Sequence, residues 1–193
     1  FKKNKPICLI IANMHGDEVT GYHIINKFID NIEDNIYEFD FGIVIIPSIN
    51  PDGFEINSRY YNNGIDPNRD FIIEDAKETT QVKNYCTNLS KKYPVFFSLN
   101  FHGGALCISY PYDNHPEKKN EYSKSKDDKI YIELAKVYTS YHTKMTPIYS
   151  SNEGYVNGAD WYHISGSYQD WLYNILEIKN MTIEVSHIKN PFL

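Results

Sequence analysis

A mixed, mostly parallel sheet with helices on both faces is the α/β fold predicted for this 193-residue sequence. Two observations predict it. Four short runs are largely apolar and β-branched, as in the strands of a covered sheet. Segments of helical apolar spacing lie between them, and strands alternating with helices build layered α/β domains. The runs are Ile7 to Ala12, Phe41 to Pro47, Val95 to Asn100 and Met181 to Ser186. Between the first two, Val19, Tyr22, Ile25, Phe28, Ile29 and Ile32 recur at helical spacing. A second helix is predicted over Thr79 to Lys92. A third runs from about Lys129 to His142, with Ile130, Leu134, Val137 and Tyr141 on one side. Asn50 to Phe71 and Tyr110 to Lys126 read as long loops of the kind that carry function, and Asn114 to Lys129 as the most flexible stretch.

Composition narrows the function classes. With 41% hydrophobic and 23% charged residues, residues 1–193 can bury a core and form one domain rather than a disordered chain. A net charge of -6 without a basic stripe argues against nucleic acid or an anionic membrane as partner. No apolar run is long enough to span a bilayer. No signal-peptide pattern opens the sequence at Phe1. Cys8, Cys86 and Cys107 are too scattered for a disulfide framework, and Cys8 and Cys107 are expected to be buried thiols. Asn88-Leu89-Ser90 and Asn180-Met181-Thr182 match the N-glycosylation pattern by composition alone.

The chemistry gathers at strand ends. The first strand leads into Asn13-Met14-His15-Gly16-Asp17-Glu18, where His15 and Glu18 can converge on one ion as strand turns to helix. Asn100-Phe101-His102-Gly103-Gly104 ends another strand and offers a third ligand. Two His and one Glu with an open fourth position form a catalytic zinc pattern. The C-terminal ends of strands are where α/β sheets place their sites. On the loop Asn50 to Phe71, Arg59, Asn68 and Arg69 bring two guanidinium forks and an amide, suited to gripping a carboxylate and polarising a carbonyl. Alternation along Met181 to Ser186 puts Thr182, Glu184 and Ser186 on one face. Glu184 there is either an exposed-face residue or a general base and acid beside the metal. His23, His115, His142, His163 and His187 share no ligand spacing.

Taken in order, these pieces resemble the zinc metallocarboxypeptidases, and within them the regulatory N/E branch. The resemblance covers nearly the whole chain. Beyond the motifs above it includes Asn50-Pro51-Asp52-Gly53, Gly64-Ile65-Asp66-Pro67-Asn68-Arg69 and His102-Gly103-Gly104-Ala105. It continues through Ser109-Tyr110-Pro111-Tyr112-Asp113, Asn157-Gly158-Ala159-Asp160-Trp161-Tyr162 and Gln169-Asp170-Trp171.

The resemblance implies a carboxypeptidase-like α/β sandwich that hydrolyses the C-terminal bond of peptides or proteins, with one zinc per chain held by His15, Glu18 and His102. Asp66 would orient His15, Arg59 would stabilise the oxyanion, and Glu184 would be the catalytic carboxylate. Asn68 and Arg69 would clamp the substrate carboxylate, Tyr162 would close over it, and Gln169 would lie at the pocket floor. Asp127 and Asp128, just before a helix, would pair with a C-terminal Arg or Lys; as helix-start residues they would need no such role. Pro67 and Asp70 stand where the family has Leu and Asn, so Pro67 is expected to remove a backbone donor and Asp70 to add charge near the clamp. The family's domain is longer at both ends, so this chain reads as a fragment or core. The resemblance also favours the secretory pathway or the extracellular space. Two other readings share the pattern: a zinc deacylase of small acyl-amino acids, which should lack the Asn-Gly-Ala-x-Trp-Tyr segment, and a non-catalytic peptide-binding relative.

Overall fold

A computed structural model describes residues 5–32, 39–142, 144–145 and 154–191. Six strands form one sheet: β1 (Ile7–Ala12), β2 (Gly42–Ile46), β3 (Val95–His102), β4 (Ala105–Tyr110), β5 (Tyr155–Asn157) and β6 (Lys179–Ser186), in the order β2-β1-β3-β6-β4-β5. The pairs β1–β2, β1–β3, β3–β6 and β4–β5 are parallel, and β4–β6 is antiparallel. The helices are α1 (Thr20–Ile32), α2 (Pro51–Glu55), α3 (Lys77–Lys92), α4 (Asp128–Ser140), α5 (Gly158–Trp161) and α6 (Tyr168–Leu176).

Both faces of the sheet are covered, as the largely apolar runs predict. Leu9 and Ile11 of β1 pack with Val82 and Cys86 of α3 and with Tyr168, Trp171 and Leu172 of α6. Ile10 and Ala12, on the opposite face, pack with Ile25 of α1 and Tyr131 and Ala135 of α4. The strand's alternation thus feeds two cores.

Two expectations change, and the third predicted helix shows which of its sides is covered. Ile130, Leu134 and Val137 form the outer side of α4 and, with Tyr141 just after it, are exposed, whereas Tyr131 and Ala135 on its other side are fully buried. The large ring of Tyr131, stacked on Tyr110, fixes which side of α4 faces the sheet. The stretch from Asn114 to Lys129 is tied down. Ser123 N–H donates to Asn157 Oδ1 at 2.9 Å, Asn157 Nδ2 donates to Ser123 O at 3.1 Å, and His163 N–H donates to Asn120 Oδ1 at 2.9 Å. Cys8 is only half-buried, while Cys86 and Cys107 are buried; all three are free thiols. Of the two glycosylation matches, Asn180 is fully buried in β6.

Candidate metal centre and cleft

The turn after β1 is set by Asn13, which takes a left-handed backbone (φ 51°), a conformation Asn tolerates better than most residues. Its side chain fixes the turn: Nδ2 donates to His15 O at 3.1 Å, and Oδ1 accepts from Ser48 Oγ at 2.7 Å. Gly16 is required by contact, since a Cβ there would lie 2.1 Å from the Gly53 carbonyl carbon. His15 and Glu18 then face one point. His102, ending β3, meets them from the neighbouring strand.

The three ligand atoms are close: His15 Nδ1 to Glu18 Oε2 is 3.0 Å, His102 Nδ1 to Glu18 Oε2 is 2.9 Å, and the two Nδ1 atoms are 3.2 Å apart. Tetrahedral donors at zinc bond lengths stand about 3.3 Å apart. All three side chains are buried, and they are the one such group among the described residues. The donor set and its spacing therefore fit zinc.

Asp66 joins this centre to the cleft. Its Oδ1 lies 3.1 Å from His15 Nε2 and accepts from Asn68 N–H at 2.9 Å, and its Oδ2 accepts from Arg59 Nε at 2.9 Å. Burial would raise the Asp66 pKa; His15 and Arg59 outweigh it and hold the carboxyl well below the usual range. Pro67 occupies the first position of the 3-10 turn Pro67–Arg69, where no N–H is needed, so it takes nothing from the loop. Asp70 points away: it is buried and accepts from Asp75 N–H at 2.9 Å and Ala76 N–H at 3.1 Å, fixing the entry to α3.

A cavity of about 190 Å³ opens beside the triad, lined by residues that include Arg59, Asn68, Asp113, Tyr162, Glu184 and Lys189. Glu184 lies level with His102 across the β3–β6 pair, so both project from the same face. Burial, then the charge of Glu18, pushes its carboxyl pKa up. Asn68 Oδ1 accepts from Tyr168 N–H at 3.0 Å, which leaves the amide nitrogen as the free donor. Arg69 does not line the cavity; its Nη1 donates to Asn68 O at 2.8 Å. Tyr162 is 41% exposed at the rim.

Two residues without an assigned role in the sequence reading reach this cavity. Lys189 Nζ lies 3.1 Å from Glu18 Oε1 and 3.0 Å from Asp17 Oδ2. Asp113 is buried, and its Oδ1 accepts from Gln169 Nε2 at 2.8 Å. Gln169 thus lies behind the floor, and Asp113 forms it. Burial raises the Asp113 pKa to about 6. Gly158 leaves room for that carboxylate, since a Cβ would lie 2.0 Å from Asp113 Oδ1. The signal was available: Asp113 closes a strand-end motif, as His102 does.

Asp127 and Asp128 are not brought to the cavity. Asp127 Oδ2 accepts from Tyr173 OH at 2.9 Å, and Asp128 Oδ1 accepts from Tyr122 OH at 2.8 Å. They serve the start of α4 and its packing, and neither lines the cavity.

The zinc carboxypeptidase family model matches residues 1–193. Carboxypeptidase D of Mus musculus is 32% identical over 226 residues, spanning 97% of this chain and 16% of that protein. Carboxypeptidase SOL1 of Arabidopsis thaliana is 32% identical, spanning 97% of this chain and 41% of its own length. Carboxypeptidase M of Mus musculus is 33% identical, over 94% of this chain and 47% of its own length. The chain therefore spans less than half of each of these relatives. Among solved structures, thrombin activatable fibrinolysis inhibitor superposes with a TM-score of 0.72 at 16% identity, covering 95% of this chain and 55% of the other. Carboxypeptidase A of Helicoverpa armigera gives 0.68 at 16% identity, covering 96% and 53%. These two likenesses bear on the fold, and the fold they share is the one described above. With its metal-fitting triad, its cleft and a full-length match to the family model, the chain belongs to the zinc carboxypeptidase family.

Proposed function

We propose that this chain hydrolyses the C-terminal peptide bond of peptides or proteins and prefers a C-terminal Arg or Lys. One observation carries the reading: the zinc-fitting triad, Glu184, Arg59 and the amide of Asn68 all face one small cavity. His15, Glu18 and His102 would hold the zinc, which when bound supplies a Lewis acid that activates water and polarises the carbonyl. Asp66 holds the tautomer of His15 by accepting from Nε2–H.

Glu184 takes a proton from the attacking water and delivers it to the leaving amine; a carboxyl held above its usual pKa suits both halves of that task. The Arg59 guanidinium, fixed by Asp66, donates to the developing oxyanion. The Asn68 amide nitrogen, with Arg69 behind it, receives the substrate carboxylate. Tyr162, at the rim, closes over the bound residue.

The preference for a basic residue rests on Asp113. A carboxyl buried at the end of a cavity of about 190 Å³ is an unfavourable partner for an apolar side chain. It is a favourable one for a guanidinium or ammonium, and rejection of the wrong residue supplies most of such selectivity. The test is zinc content measured together with release of C-terminal Arg, Lys or Phe from otherwise identical short peptides. Zinc-dependent release that is faster for Arg and Lys is expected. Stoichiometric zinc without peptide cleavage, or cleavage of small acyl-amino acids instead, would overturn the proposal.

A further inference from the structure

Asp66 supports His15, and among the described residues no carboxylate does the same for His102. His102 turns Nδ1 to the triad, and its other ring nitrogen, Nε2, lies 2.8 Å from the amide nitrogen Nδ2 of Asn100. The strand itself makes this contact: Asn100 and His102 are two residues apart on β3 and share a face. Both are buried, with Asn100 fully enclosed.

An imidazole that binds a metal through Nδ1 carries its proton on Nε2, and that N–H must donate. The Asn100 carboxamide is the group in reach. Of its two terminal atoms only Oδ1 accepts; Nδ2 stands at the contact, and a half-turn of the planar amide brings Oδ1 there in its stead. The amide is otherwise poorly explained as packing. Its contact with His102 is the one hydrogen bond drawn from its side chain among the described residues, and Oδ1 has no partner. A buried polar atom left so costs about 1–3 kcal/mol, which an apolar residue of similar size would avoid.

We infer that Asn100 is a positioning residue for the metal centre, whose Oδ1 accepts a hydrogen bond from Nε2–H of His102 and fixes that ring's tautomer and tilt. This rests on the reading of His102 as a zinc ligand. The two ring ligands are then supported unequally. His15 has an anionic acceptor, which raises its basicity, and His102 has a neutral one.

The test compares N100L and N100D with the wild-type chain in zinc affinity, by chelator competition at fixed pH, and in the nitrogen-15 spectrum of the zinc-loaded imidazoles. N100L is expected to lose about tenfold or more in zinc affinity and to lose the slowly exchanging Nε2–H signal of His102. N100D, which restores an acceptor, is expected to keep that signal and to bind zinc at least as tightly as wild type. A role confined to packing predicts the reverse order, because the buried charge of Asp is then the worse substitution. Wild-type zinc affinity in N100L, or weakened affinity in a folded N100D, overturns the inference. If N100L does not fold, N100D decides alone on the same two readouts. A wild-type chain that binds no zinc at these ligands overturns the underlying reading, and this inference with it.

Discussion

Glu184 and Asp113 reach one cavity from β6 and from the loop after β4, and burial holds both carboxyls above their usual range. Their neighbours separate them. Glu184 has Glu18 as its next influence, a carboxylate that a divalent cation would neutralise, so its pKa answers to the metal. Glu184→Gln is nearly isosteric but accepts no proton. We expect turnover to fall about 10²-fold or more with zinc content unchanged, and a near-wild-type rate would reduce Glu184 to packing. Asp113 answers instead to Ser167, Arg69 and Gln169, which favour its ionised form without overcoming burial. A cationic substrate needs that form. As pH falls through about 6 the carboxyl gains a proton, so the Arg-to-Phe ratio in kcat/KM should drop between neutral and mildly acid solution. Asp113→Asn should narrow the ratio at neutral pH and flatten its pH dependence, at a cost of about 2–5 kcal/mol on Arg substrates. The double change D127N/D128N should leave the ratio alone, because those carboxylates bond to tyrosines beside α4. A ratio that responds to D127N/D128N and ignores D113N would reverse the assignment.

At the scale of elements, the loop between β1 and α1 is held from outside as much as by its own sequence. The backbone of α2 presses on Gly16, between the ligands His15 and Glu18. Gly16→Ala has no room without moving one of the two segments. Overpacking of this kind costs about 1–3 kcal/mol, and here the displaced atoms belong to the metal centre. We therefore expect a lower Tm and weaker zinc affinity together; a Tm loss with wild-type zinc affinity would show that α2 yields and the turn does not. The same dependence on remote partners explains what the sequence disclosed. β1 and β2 were legible because a doubly covered strand is apolar almost throughout, and β3 and β6 because apolar and β-branched residues still dominate them. β4 (Ala105–Tyr110) was read only as the surroundings of a buried Cys107 and as the motifs at its two ends, which hid it as a strand of its own. β5, three residues long, carries no periodic signal. α6 buries Gln169 and Asp170 inside the domain, so its polar residues masked its pattern. The convergence of His15, Glu18 and His102 was legible because metal chemistry restricts residue type and spacing. Asp127 and Asp128 were misplaced because acids at a helix start look alike whether they face a substrate or a tyrosine. Only the fold brings Tyr173 and Tyr122 to them.

For the whole molecule, the metal centre sits where β1, β3 and β6 end side by side, the position at which parallel strands in an α/β sheet direct their loops toward a shared crevice. A cation held by His15, Glu18 and His102 would join the turn after β1 to the end of β3, two segments 84 residues apart in the Glu18–His102 contact. Its removal need not unfold the domain. Glu18, the buried charge at risk, keeps Arg59 Nη1 at 3.4 Å, Lys189 Nζ at 3.1 Å and Gly103 N–H at 3.1 Å. The two cores are built without the site. Chelation should therefore lower stability by the binding linkage alone, about 4 kcal/mol when free zinc had stood 1,000-fold above its Kd. For a chain of this size that is a fall in Tm of roughly 8–16 °C, reversed by adding zinc back. The shift should shrink on acidification, because each ligand must give up its proton to bind, and protons then compete with the metal. Thermal melts with and without chelator at two pH values check both signs. Loss of all cooperative melting on chelation would mean that the metal is needed to form the sheet, and a shift that grows in acid would mean that the bound groups are not these three.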